Sequence, residues 1–245
     1  MPSPRSDASP RPGRRSGQPD DRPTADPAVR APRSGHLGQR LAAAATLAAV
    51  AAAPALDAHG LLRRADFAVL SAIVAHRPPG CTEPAWRLTR LAEPPVVLPV
   101  VGAATVWATV RGRSPGTVAT AACGIGVRRG LAEVIGRSRP PAAWWWDQPT
   151  GPSYPSRHVT WAALGYGATA DLLAGTTPAT AARTGCLAVT AAVAVTRVLL
   201  GVHWPSDVAA GIAFAASWRA LTNAVASTPR DHRPETVHRL VAREP

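Results

Sequence analysis

Along the middle of this chain apolar residues run in long stretches, and polar residues collect at the stretch ends and in the two tails. An Ala-rich stretch at 37–56 is followed by others at 94–110, 117–135, 159–174, 179–200 and 208–222. A helix rising ~1.5 Å per residue needs ~20 residues to cross a hydrocarbon layer of ~30 Å. The pattern therefore predicts an all-α fold, an integral membrane helical bundle of about six transmembrane helices. Between 57 and 93 apolar residues mix with Arg63, Arg64, Arg77, Arg87, Arg90 and the pair Pro78-Pro79, which predicts a short amphipathic helix and a loop.

The flanks read differently. Residues 1–36 are Pro, Arg, Ser, Asp and Gly without apolar periodicity, and such a segment cannot bury enough surface to offset chain entropy. A disordered cytoplasmic tail is expected there, a membrane domain over 37–226, and a polar C-terminal tail over 227–245. The first stretch also has the look of a signal peptide, with small residues at Ala53-Pro54-Ala55 as a possible cleavage site.

Charge changes the picture in one respect. A net charge of +12 can mean nucleic-acid binding, but charged residues make up only 17% of the chain and the Arg-rich tails flank apolar spans. Basic residues in that position hold loops on the cytoplasmic side, so a bilayer and no nucleic acid is the expected partner. With the N-terminus inside, Arg111, Arg113, Arg183 and the tail from Arg219 also fall inside. Arg63, Arg64, Arg77, Arg87, Arg90, Arg137 and Arg139 fall outside, against the rule. Three widely spaced cysteines give neither a disulfide framework nor a metal spacing. Trp144, Trp145 and Trp146 have the amphipathic rings that settle at the headgroup level.

Chemistry concentrates at one face. Arg137 and Arg139 close the third span, Ser156, Arg157 and His158 open the fourth, and Arg197, His203 and Asp207 bracket the last loop. A helical hairpin returns the chain to the same face, so these segments can meet. Pro155 and Pro205 suit first turns of helices, and two helix N-termini aimed at one place favour an anion. Arginine adds a planar fork that matches phosphate oxygens in pairs. Asp207, one turn beyond His203, can hold one ring nitrogen so that the other attacks phosphorus. His158 is placed to protonate the leaving oxygen and then activate water. His36, His59, His76, His232 and His238 have no such partners.

These residues resemble the three-part signature of the type 2 phosphatidic acid phosphatase superfamily, whose relatives include prenyl-diphosphate phosphatases, glucose-6-phosphatases and vanadium haloperoxidases. The first part, Lys, six residues, Arg-Pro, is matched at its end by Arg139-Pro140. The second, Pro-Ser-Gly-His, is similar to Pro155-Ser156-Arg157-His158. The third, Ser-Arg, five residues, His, three residues, Asp, is kept in spacing by Thr196-Arg197, His203 and Asp207. The resemblance implies that Arg139 and Arg197 bind phosphate, Ser156 donates to it, His158 is the acid, and His203 with Asp207 is the nucleophile pair. It implies no metal and no cofactor.

Two positions depart from the signature: Ala132 stands where the family has Lys, and Arg157 where it has Gly. A compensating charge from Arg157, Arg137 or Arg129 is expected, with Arg157 counted among the phosphate-binding residues. The substrate expected is a lipid phosphate or prenyl diphosphate, hydrolysed at the extracytoplasmic face of a bacterial cell membrane through a phosphohistidine. The alternative is an impaired relative that binds lipid phosphates or partners without hydrolysing them. The sequence leaves the oligomeric state open.

Overall fold

The protein is described by a computed structural model that covers residues 34–57, 59–174 and 179–226. The expectations of disorder for the first 33 residues and of a polar tail from 227, with His232 and His238, lie outside the described residues.

All six predicted stretches are helical: α1 (Ser34–Leu56), α4 (Pro94–Val110), α5 (Gly116–Ile135), α6 (Arg157–Leu172), α7 (Ala179–Leu199) and α8 (Pro205–Ala226). Between the first two lie α2 (Leu61–Ala75) and α3 (Thr82–Arg90), so the segment expected to hold one short helix and a loop holds two helices. Two described helices are long and apolar enough to cross a membrane by themselves, at Leu37–Leu56 and Thr180–Leu199. A bent pair, α3 with α4 at 41°, makes a third candidate. Helix α6 falls short of that standard because it has only 16 residues, twelve of them buried, and α5 because it carries Arg128, Arg129 and Glu133.

Helix α6 is the centre of the bundle, packed against α4, α5, α7 and α8, while α1 lies along α8. Lipid tails are as apolar as leucine, so close packing rather than water exclusion holds such helices together, and small residues permit it. At Gly165 an added methyl would stand 2.4 Å from Val97 Cγ1, so α4 and α6 approach through that glycine. Val97, Val101, Val159, Ala162 and Val193 form one apolar cluster, and Leu164, Ala168, Phe214 and Ala215 form another. The Tyr154 hydroxyl donates to Val50 O at 2.7 Å, tying the loop before α6 to α1.

Candidate active site

Four helix ends meet at the site, three of them stopped or started by a readable local signal. Gly136, at φ 59°, ends α5 and donates to Ala132 O at 2.9 Å. Glycine adopts this left-handed backbone without a Cβ penalty, which releases Arg137 to Arg139 from the helix. Ser156 takes the N-cap position of α6 without a side-chain cap bond, and Pro205 is the first residue of α8. Pro155, expected in a first turn, lies outside α6 instead: the helix begins at Arg157, and the carbonyl of Pro155 receives Arg128. Backbone bonds join the ends, from Ser156 N to Asp207 O at 3.0 Å and from Ser153 N to Arg137 O at 2.9 Å.

His203 and Asp207 are both fully buried. One carboxylate oxygen of Asp207 faces His203 Nδ1 at 3.4 Å, accepts the Trp204 N–H at 2.9 Å and accepts the Ser153 hydroxyl. The Trp204 bond is half of a capping box, so the carboxylate that faces the imidazole also starts α8. With Nδ1 turned to Asp207, the Nε2 lone pair faces Arg139 Nη1 at 3.2 Å. Burial pushes the His203 pKa down to about 4, and Arg197 and Arg139 add repulsion against an opposing pull from Asp207. The ring is neutral at neutral pH, the form in which it is a nucleophile.

The predicted phosphate-binding residues meet different fates. Arg197 is fully buried; its Nη1 donates to Thr89 Oγ1 at 2.9 Å and Asp147 Oδ2 at 2.8 Å, while Nε and Nη2 have no partner. A buried guanidinium with unmet donors is costly unless an anion completes it. Ser156 Oγ is likewise buried without a partner. Arg139 is fixed by the carbonyls of Val202 at 2.8 Å, Gly151 at 2.9 Å and Thr150 at 3.0 Å. His158 is buried within electrostatic reach of Arg197, Arg157, His203 and Arg139. Arg157 is exposed and opens with His158 onto a cavity of about 360 Å³, also lined by Arg128, Arg129, Glu133 and the 150–152 loop.

Arg137 does not serve as the spare charge that the missing Lys called for. It is bound to Asp207 at 2.6 Å, to Asp66 at 2.7 Å and to Ser206 Oγ at 2.7 Å, because two buried carboxylates need a common counter-ion. The tryptophans do more than face a headgroup layer: Trp145 donates to Pro140 O, Trp146 O accepts from Trp86, and the Trp146 N–H reaches Leu200 O at 2.9 Å, bracing the site loop.

Sequence reasoning missed Asp66, Thr89, Arg128, Asp147 and Ser153. Arg128 had a legible signal, since it lies one turn before Ala132 and so on the same face of α5. Its buried guanidinium donates from Nε to Pro155 O at 2.8 Å, and from Nη2 to the same oxygen. Asp66 and Thr89 had none, because their helices reach the site only through tertiary packing.

Residues 115–230 match the family model of the PAP2 superfamily. No curated protein sequence matches the chain significantly. Among solved structures, the chain is similar to a transmembrane PAP2-type phosphatidylglycerolphosphate phosphatase from Bacillus subtilis, with a TM-score of 0.69 and 23% identity over 80% of this chain and 99% of that one.

Proposed function

We propose that this chain is a membrane lipid phosphatase of the PAP2 superfamily, and that it cleaves a lipid-linked phosphomonoester or diphosphate through a phosphohistidine on His203. The observation that carries the reading is the buried pair of His203 and Asp207 beside an Arg197 whose Nε and Nη2 are unmet.

In this reading the transferred phosphoryl group lies against Arg197, Arg139 and the Ser156 hydroxyl, where guanidinium forks and a free O–H offset its charge. His203 Nε2 attacks phosphorus as the bond to the leaving oxygen breaks, and Asp207 holds the imidazolium that forms. His158, which burial and the neighbouring arginines keep neutral in the free protein, gains its proton as the anionic substrate offsets those charges, and gives it to the leaving oxygen. The resulting neutral ring then takes a proton from the water that hydrolyses the N–P bond, releasing phosphate.

The site belongs at the extracytoplasmic face in the same reading. It sits at the α5–α6 and α7–α8 ends of the bundle, opposite the ends that carry Arg111, Arg113, Arg183 and Arg219. A bacterial cell membrane fits these features. Phosphatidic acid, phosphatidylglycerol phosphate and prenyl diphosphates share the group the site would hold.

The test is phosphate release by the full chain in detergent with EDTA, comparing wild type with His203→Ala. Release that vanishes with His203 and is blocked by vanadate, an analogue of pentavalent phosphorus, supports the reading. A folded wild type that releases no phosphate from any of the three substrates would favour the binding-only alternative.

A further inference from the structure

The cavity of about 360 Å³ beside His158 carries more positive charge than one phosphoryl group requires. Arg128, Arg129 and Arg157 line it against a single carboxylate, Glu133. Arg128 is committed to the Pro155 carbonyl. Neither Arg129 nor Arg157 makes a side-chain hydrogen bond or ion pair among the described residues, although Glu133 lies one turn from Arg129 on α5.

Position matters as much as charge. The donors assigned to the transferred phosphoryl group, on Arg139 and Arg197, do not line this cavity, whereas His158 does. In the proposed reaction His158 protonates the leaving oxygen, so groups on its cavity side face the leaving group. The resembling signature has Gly at position 157, with no side chain; here an arginine stands immediately before the acid.

Resting on the phosphatase reading, we propose that Arg157 and Arg129 form a second anion subsite that binds a negative charge on the leaving group, making a lipid diphosphate the preferred substrate. In a diphosphate the leaving group is itself a lipid monophosphate, with its charge one bridging oxygen from the scissile bond. His203 Nε2 bonds to the terminal phosphorus, the bridging P–O bond breaks, and its electron pair stays on the departing phosphate within reach of two guanidinium forks. From phosphatidic acid the leaving group is a neutral alcohol, and the two arginines would face only water. Phosphatidylglycerol phosphate is intermediate, since its second phosphate lies across a glycerol.

The experiment uses the full chain in detergent with EDTA and measures kcat/KM for a prenyl diphosphate and for the prenyl monophosphate with the same tail. Wild type should prefer the diphosphate. In Arg157→Gln the ratio of the two constants should fall about ten- to hundredfold, the loss expected for a charge-assisted contact. Arg129→Gln should lower the same ratio, and Arg157→Lys should lower it less than Arg157→Gln. An unchanged ratio in both Gln variants, with both constants falling together or neither falling, would overturn the subsite. Wild type that releases phosphate from neither compound nor from phosphatidic acid would overturn the phosphatase reading itself, a result distinct from an unchanged ratio.

Discussion

Asp66 and Asp207 share one guanidinium, with Arg137 reaching the first at 2.7 Å and the second at 2.6 Å. Asp66 also accepts the Ser206 N–H at 2.9 Å and the Ser206 hydroxyl, so α2 grips the first turn of α8 next to the carboxylate that faces His203. The orientation of the His203 partner is thereby set from a helix outside the matched family region.

Asp66 is therefore expected to act as a positioning residue. Asp66→Asn should leave Arg137 with one charged partner and lower kcat about tenfold or more with little change in KM, since the contact orients the nucleophile without touching substrate. Breaking a buried pair costs ~3–5 kcal/mol, so the melting temperature should fall as well. A lowered melting temperature with wild-type kcat would reduce Asp66 to a purely structural role.

The depressed His203 pKa sets an acid limb. With the ring held at about 4, the neutral nucleophile persists below the ordinary imidazole value of 6.5, and kcat/KM should decline on the acid side only as pH approaches 4. Stability follows the same group. The unfolded ring takes up a proton near 6.5 that the folded ring refuses until about 4. Its contribution is complete above pH 6.5 and is lost as pH falls from there through 4. A pH–rate profile bending near 6.5 on the acid side would contradict this assignment. Thermal melts of wild type and His203→Gln across the same range test the stability part.

His158 should be dispensable in proportion to the leaving group. General acid catalysis is worth about 10²–10⁴-fold, so His158→Ala should lose that much on phosphatidic acid. With an aryl phosphate, whose leaving oxygen needs no proton, the first step should recover. Trapped phosphohistidine would then build up, because water still lacks its base. Equal losses on both substrates would remove His158 from the acid role.

Helix packing offers a prediction independent of chemistry. At Gly165 a methyl would stand 2.4 Å from Val97 Cγ1, so Gly165→Ala should destabilise the bundle by about 1–3 kcal/mol. The double variant with Val97→Ala should recover part of the loss. Thermal melts of the single and double variants in one detergent decide it.

The sequence held much of this arrangement. Apolar stretches located six helices because lipid-facing and buried helix both demand a continuous apolar run, and the placing of Arg139, Ser156, His158, Arg197, His203 and Asp207 predicted their meeting at one end. Less of α2 and α3 was legible, since their amphipathic faces and arginines look like a loop until α7 and α8 supply the other side. Partners of the predicted residues were hidden for a related reason. Thr89, Asp147 and Asp66 are ordinary polar residues whose significance comes entirely from where the chain returns. Arg137 was misread because two buried carboxylates competed for it, and one of them, Asp66, had not been placed.

Gly201, at φ 71°, lies two residues before His203, and a methyl there would stand 2.2 Å from the Trp144 carbonyl oxygen and 2.3 Å from the Arg77 guanidinium. Side chains of every other kind are excluded twice, by backbone conformation and by space. A library of all single substitutions, scored by growth or turnover, would rank this glycine beside the histidines. Loss of activity alone would thus place a chemically inert turn residue among the proposed reacting groups, and only a binding or folding readout would tell them apart.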